Sequence, residues 1–187
     1  HRIASYSQQS QRYVNLEDSF KYVIPRKINK NAYVKRIFED AMASAFENYV
    51  KVSRGLLEQF IYEYVVKDLK VYTDDTNMEV LEEYMKTTHK KKYNAFVKVA
   101  IENARAVLPN ACETKIICTM NLRTLINFCH HRCCRRAQDE IFELAWAMRK
   151  EVEKVSPLLA KSLGANCQFG KCPEGAMSCG EPFERVR

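Results

Sequence analysis

Apolar residues recur at helical spacing over most of this chain, and no other feature limits the fold so strongly. Val34, Ile37, Phe38, Ala41, Met42, Ala45, Phe46, Tyr49 and Val50 form one stripe at i, i+3, i+4 spacing. Leu56, Leu57, Phe60, Ile61, Tyr64, Val65 and Leu69 form a second, and Gly55 between them allows a break or kink. TDDTN (73–77) predicts a loop that caps a helix carrying Met78, Leu81, Tyr84 and Met85. Another helix is predicted from about Tyr93 to Ala106, ending near Pro109. From Leu122 the helical period returns, with Leu125, Ile126 and Cys129 on one face. A last long helix, Ala137 to about Val155, is expected to turn Ile141, Leu144, Ala145, Met148 and Val152 inward.

Two segments break this pattern. YVNLEDSFKYVI (13–24) is aromatic and β-branched and stops at Pro25, so it reads as extended chain. ETKIICTMN (113–121) has the β-branched density of a short buried strand. Beyond Leu163 the chain turns Gly- and Cys-rich and loses its periodicity. The fold class is therefore α+β, a predominantly helical chain with part of its sheet missing. At 187 residues and 47% hydrophobic content, one large domain with a real core is expected. No apolar run approaches the roughly 18 residues of a membrane span, and no signal-peptide pattern is present, so the expected setting is the cytoplasm.

The 30 Lys and Arg outnumber the 23 Asp and Glu, giving a formal charge of +7 that suits anionic partners. The surplus is dispersed on helices or held in KTTHKKK (86–92) and HHRCCRR (130–136). The glycines number only five, and no GxGxxG, P-loop or GxSxG occurs. Arg105 ends a predicted helix. Arg123 and Arg132 lie nine residues apart on the next, roughly 180° from one another, so they address two ligands or two subunits rather than one. Their planar forks suit phosphate, and surface ion pairing is the plainer reading. Asn121, at a strand-to-helix junction, reads as an N-cap. Asn127, among Leu125, Ile126 and Phe128, reads as a half-buried amide that needs partners. His130 and His131 point about 100° apart, a poor geometry for a shared metal.

The opening, HRIASYSQQSQRY, has no initiating Met and is expected to be a cut or processed terminus. With an Arg before it, HRIASYSQQS would read RHR-x7-S. A second block, ARAVLPNACETKIICTMNLRTLINFCHHRCCRRAQDEI (104–141), carries A-R-x-V-L-P, N-x-R-x-L-x-N-F and R-x4-A-Q-x-E-I without a gap from Arg105 to Ile141. In these two blocks the chain resembles the flavin-dependent thymidylate synthases (ThyX). The resemblance implies a ThyX-type α/β fold with a small, mostly antiparallel sheet whose N-terminal strands are absent here. It implies a single domain over 1–187, with 33–92 an elaborated helical arm and 164–187 a Cys-rich tail.

The reaction implied is the reductive methylation of dUMP to dTMP, a step of nucleotide biosynthesis. Methylenetetrahydrofolate supplies the carbon, and FAD reduced by NADPH supplies the hydride. A homotetramer with active sites between subunits is implied, with no nucleic-acid or membrane partner. His1, Arg2, Gln8, Asn121, Leu122, Arg123 and Asn127 resemble the flavin-contacting positions. Gln8, Gln9, Ser10, Gln11, Arg12 and Arg105 resemble those around dUMP, with Ser10 and Arg12 at the phosphate. Arg132 resembles the arginine that favours ionisation at N3 of the uracil, where a fixed cation lowers the energy of a developing anion. Gln8 stands where many members have Glu, so a carboxylate contact becomes an amide. A relative that hydroxymethylates or alkylates a pyrimidine nucleotide, and a basic helical module binding nucleic acid or a protein, are the alternatives. Flavin chemistry replaces a cysteine nucleophile in that family, so the eight cysteines need another role. Cys167, Cys172 and Cys179, joined by Cys134 or its neighbour Cys133, are candidates for a four-thiolate structural zinc site, although no CxxC knuckle is present. Free thiols on the tail are the other reading.

Overall fold

The computed structural model describes residues 3–10, 20–70 and 77–186. The chain divides into two compact units, one formed by residues 8–115 and the other by 1–7 with 116–187. The fold is α+β, dominated by helix, with one antiparallel pair of strands.

In the unit of residues 8–115, α1 (Arg26–Asn29) leads into α2 (Ala32–Tyr62), whose N-cap Asn31 accepts from the amides of Tyr33 and Val34 at 3.1 Å. The expected break at Gly55 does not occur, since α2 runs through it without interruption. A single glycine costs a helix about 1 kcal/mol, less than the burial of Ser53, Leu57 and Ile61 on either side secures. The helix then widens into a π-helical stretch, Glu63–Asp68, and Lys70 closes it at φ 55°, in the left-handed region usual after a helix end. Asn77 caps α3 (Met78–Thr88) by accepting from the Glu79 amide at 3.0 Å, so the capping expected of TDDTN falls on its last residue. α4 (Lys90–Ala104) starts three residues before the predicted helix and passes into a 3-10 turn, Arg105–Val107.

Leu57, Ile61, Val65, Leu81, Met85 and Ala100 form the core of this unit, with Phe60, Tyr64 and Phe96 packed around it. Residues 13–19 of the predicted extended segment lie outside the described residues. Its remainder is extended: Tyr22 bridges Cys112, and the rings of Phe20 and Tyr22 meet Phe46 and Phe38 of α2. Glu82 is the main polar feature here. It receives Lys86 Nζ and the Tyr93 hydroxyl, each at 2.8 Å, with Arg54 at 3.3 Å.

In the other unit, β1 (Ala4–Gln8) pairs with β2 (Ile116–Met120). β2 was expected to be buried; instead Ile116 is 55% and Ile117 74% exposed, because a two-stranded ladder has no second layer to cover its faces. α5 (Leu122–Arg132), α6 (Asp139–Val155) and the one-turn α7 (Pro157–Ala160) follow. Their core is Cys129, Cys133, Ala145, Leu163 and Ala165, with Trp146 and Phe183 beside it. Leu144 is exposed rather than inward, since Ala145 takes the buried position of α6.

The segment after Leu163 has only single 3-10 turns, yet it is tied down at several points. Gln168 accepts from the Ala165 amide at 3.1 Å and donates to the Glu184 carbonyl at 3.2 Å. A Cβ on Gly164 would meet the Gln168 carboxamide, so a larger residue there would have to push that side chain off its hydrogen bonds. Arg135 donates to the Glu181 carbonyl at 3.0 Å and lies 4.3 Å over the Phe183 ring, while Arg136 donates to the Met177 carbonyl.

Candidate nucleotide and flavin site

The start of α5 gathers several of the expected residues. Asn121 is its N-cap, as the sequence predicts: its Oδ1 accepts from the Thr124 amide at 2.9 Å and the Thr124 hydroxyl at 3.0 Å. The same hydroxyl lies 3.0 Å from the carbonyl of Ile3, directly before β1. One threonine thereby brings Asn121, Leu122 and Arg123 to the backbone of the opening motif across 121 positions of sequence. His1 and Arg2, which adjoin that carbonyl in sequence, lie outside the described residues, as do Gln11 and Arg12.

Leu122, Arg123, Asn127 and Arg132 are exposed on α5. The half-buried amide expected at Asn127 is corrected accordingly: the buried side of this helix turns on Cys129, and Asn127 points away from it. Surface ion pairing is not what holds the arginines, because neither Arg123 nor Arg132 has an ion pair or hydrogen bond among the described residues. Nine residues of helix separate them by about 14 Å, so within one chain they serve different places.

In the unit of residues 8–115, Gln8 and Gln9 are exposed and Ser10 is half-buried. The backbone of Gln9 is fixed on both sides: its amide donates to the Lys115 carbonyl at 2.8 Å, and its carbonyl accepts from the Thr114 hydroxyl at 2.9 Å. Arg105 is exposed at the start of its 3-10 turn, with Nε donating to the Glu102 carbonyl at 3.3 Å. That contact orients the guanidinium without neutralising it.

At the far end of α5, Arg132 lines a cavity of about 240 Å³ closed by the tail. Cys134, Cys167, Cys172 and Cys179 line the same cavity. Even so, among the described residues no group of three or more His, Cys, Asp or Glu can hold a metal ion. The four thiols of the zinc expectation share this cavity without forming a ligand cluster in this structure. Cys167 Sγ accepts from the Phe183 amide at 3.4 Å and Cys179 Sγ lies 3.6 Å from the Glu181 carbonyl. His130 stacks on Phe169, with ring centroids 4.8 Å apart. Burial, and then the neighbouring His131, hold its imidazole below the ordinary value against a backbone hydrogen bond with Ser162.

The family profile described as thymidylate synthase complementing protein matches residues 1–158, which include every one of these positions apart from the tail cysteines. The chain belongs to this family. Its relatives in the thymidylate synthase complementing protein family include the flavin-dependent thymidylate synthase of Clostridium tetani, 48% identical over 184 residues. That match covers 98% of this chain and 63% of the relative. The flavin-dependent thymidylate synthase of Geobacter sulfurreducens is 38% identical over 188 residues, covering 100% of this chain and 63% of that protein. The chain thus spans 63% of the length of these two curated relatives. Among solved structures, the Helicobacter pylori flavin-dependent thymidylate synthase ThyX, complexed with FAD and dUMP, aligns at 20% identity and a TM-score of 0.38. That alignment covers 87% of this chain and 63% of the other.

Two residues that fix the family's motifs in place escape sequence reading. Thr124 and Thr114 each reach a backbone carbonyl of the opening segment more than a hundred residues away. Thr124 carried a partial signal, standing three positions after a capping asparagine; Thr114 carried none.

Proposed function

We propose that this chain is the greater part of a flavin-dependent thymidylate synthase that converts dUMP to dTMP with methylenetetrahydrofolate as carbon donor. FAD, reduced by NADPH, supplies the hydride when bound. The observation that carries the reading is the Thr124–Ile3 hydrogen bond, which joins the opening motif to the Asn121–Arg123 turn in a chain of this family. Exposed arginines without ion-pair partners are what a dianionic nucleotide requires, and Arg123 and Arg132 meet that description.

The roles are carried over from the family motifs that these residues match. Asn121, Leu122, Arg123 and Asn127, with His1, Arg2 and Gln8, hold the flavin. Gln8, Gln9, Ser10, Gln11, Arg12 and Arg105 hold dUMP, with Ser10 and Arg12 on its phosphate. Gln8 can orient either ligand through its amide but has no proton to exchange. Arg132 sits beside the pyrimidine, where its permanent charge favours loss of the N3 proton and so enriches the ring for attack on the carbon donor. Arg123 and Arg132 lie about 14 Å apart on one helix, a spacing that suits two ligands or two chains. We therefore propose a homotetramer with shared sites, in which residues 1–187 act as one domain and 33–92 form the helical arm. No helix of the described chain is long and apolar enough to cross a membrane, and we place the enzyme in the cytoplasm.

The test is a visible absorption spectrum of the full-length protein, then the same spectrum with dUMP added. Flavin bands that shift with dUMP, followed by dTMP formation from dUMP and not from dCMP, are the expected results. A colourless protein that takes up no added FAD would overturn the reading.

A further inference from the structure

Four of the eight cysteines line one cavity although no metal-holding group exists there, and that disagreement needs its own explanation. They come from two separate parts of one unit. Cys134 follows the end of α5, while Cys167, Cys172 and Cys179 belong to the tail that Arg135 and Arg136 clasp. None of the four is in a disulfide bond in this structure; Cys179 is exposed and the other three are half-buried. Cys129 and Cys133, in the last turn of α5 and at its C-cap, are fully buried, and their mutual hydrogen bond with burial keeps Cys133 a protonated thiol. Within the turn after α5 and the tail, the accessible thiols therefore line the cavity, whereas the buried Cys129 and Cys133 do not.

The cavity also carries charge. Arg132, Arg135 and Arg136 line it against Glu174 and Glu181, a positive balance that attracts carboxylates. A cluster of reduced, accessible thiols in a cationic hollow is the setting that a small anionic disulfide enters and exchanges with.

We propose that this cavity is a thiol–disulfide exchange site for low-molecular-weight disulfides bearing carboxylates, and that exchange ends in a bond between Cys134 and the tail. Cys179, the exposed thiol, loses its proton and attacks one sulfur of the incoming disulfide. The S–S bond breaks, a mixed disulfide forms on Cys179, and one small thiolate leaves and takes up a proton. Cys134 then attacks Cys179 Sγ, expelling the second small thiolate and closing the Cys134–Cys179 bond. Two protein thiols lose two electrons and two protons, and one small disulfide becomes two thiols. The product ties the tail covalently to the turn that follows Arg132, independently of any bound flavin or nucleotide.

The experiment treats reduced full-length protein with glutathione disulfide, blocks remaining thiols with iodoacetamide and maps the digest by mass spectrometry without reduction. A linked peptide joining the Cys134 and Cys179 segments is expected, with Cys129 and Cys133 unmodified. Cys134→Ser should abolish the link and leave the mixed disulfide on Cys179, whereas Cys118→Ser, on the exposed strand, should leave the link intact. Mixed disulfides without an internal link, a link that persists in Cys134→Ser, or near-stoichiometric zinc that shields these thiols would each overturn the proposal.

Discussion

Arg132 ends the same helix that Asn121 starts, and the two positions carry opposite burdens. Asn121 has a structural duty as well as its proposed flavin contact, because its carboxamide caps α5. Arg132 has no partner within the described chain, so its replacement should disturb chemistry and leave the fold intact. For Arg132→Ala we expect dTMP formation to fall by about a hundredfold or more, the scale of losing one fixed charge-stabilising donor. The flavin bands and the melting temperature should stay unchanged, and an equal loss of FAD would show that Arg132 holds the cofactor instead. Sequence made these two residues readable for different reasons: Asn121 through capping chemistry at a strand–helix junction, Arg132 through its place in a family motif. Asn127 was misread because apolar neighbours in sequence are not neighbours in space on a helix; residues one apart point about 100° away from each other. Thr124 and Thr114 were unreadable, since a hydroxyl that bonds a carbonyl a hundred positions away leaves no local pattern.

The helices were legible in existence and type, and their ends less so. The stripe on either side of Gly55 continues in phase, and phase decides whether a glycine breaks a helix. Because nothing lies within 4 Å of where a Cβ at Gly55 would stand, Gly55→Ala should fit without strain. It should raise stability by about 1 kcal/mol in denaturant titration, and a loss would mean that α2 needs to bend there. β1 went unread because its run of hydroxyl and amide side chains has no burial alternation; it is a strand only through its pairing with β2. The tail shows the same limit. Its aperiodic sequence is ordered by Gln168, Arg135 and Arg136, contacts that no window of local sequence contains.

The two units should answer acid at different points. In the unit with the tail, His130 has a depressed pKa, so the folded form resists a proton that the unfolded chain accepts. Stability there is undiminished above the ordinary imidazole value of 6.5 and declines as pH falls below it. In the unit of residues 8–115, burial raises the Glu82 pKa but hydrogen bonds from Lys86 and Tyr93 and the charge of Arg54 outweigh it. Its contribution is full above 4.5 and is lost only as pH falls through a lower, folded value. The single tryptophan, Trp146, lies in the tail-bearing unit beside Phe183. Its fluorescence should therefore change on acidification before the larger part of the far-UV circular dichroism, which α2–α4 supply, is lost; coincident midpoints for the two signals would rule out separate responses. The same division bears on how the molecule is made at the ribosome. Strand β1 precedes residues 8–115 in the chain, and its partner β2 emerges only after the whole of them. The intervening helices, whose contacts are mostly local, can collapse while β1 waits unpaired, so translation speed across α2–α4 sets how long an open strand edge is offered to chaperones or to other nascent chains.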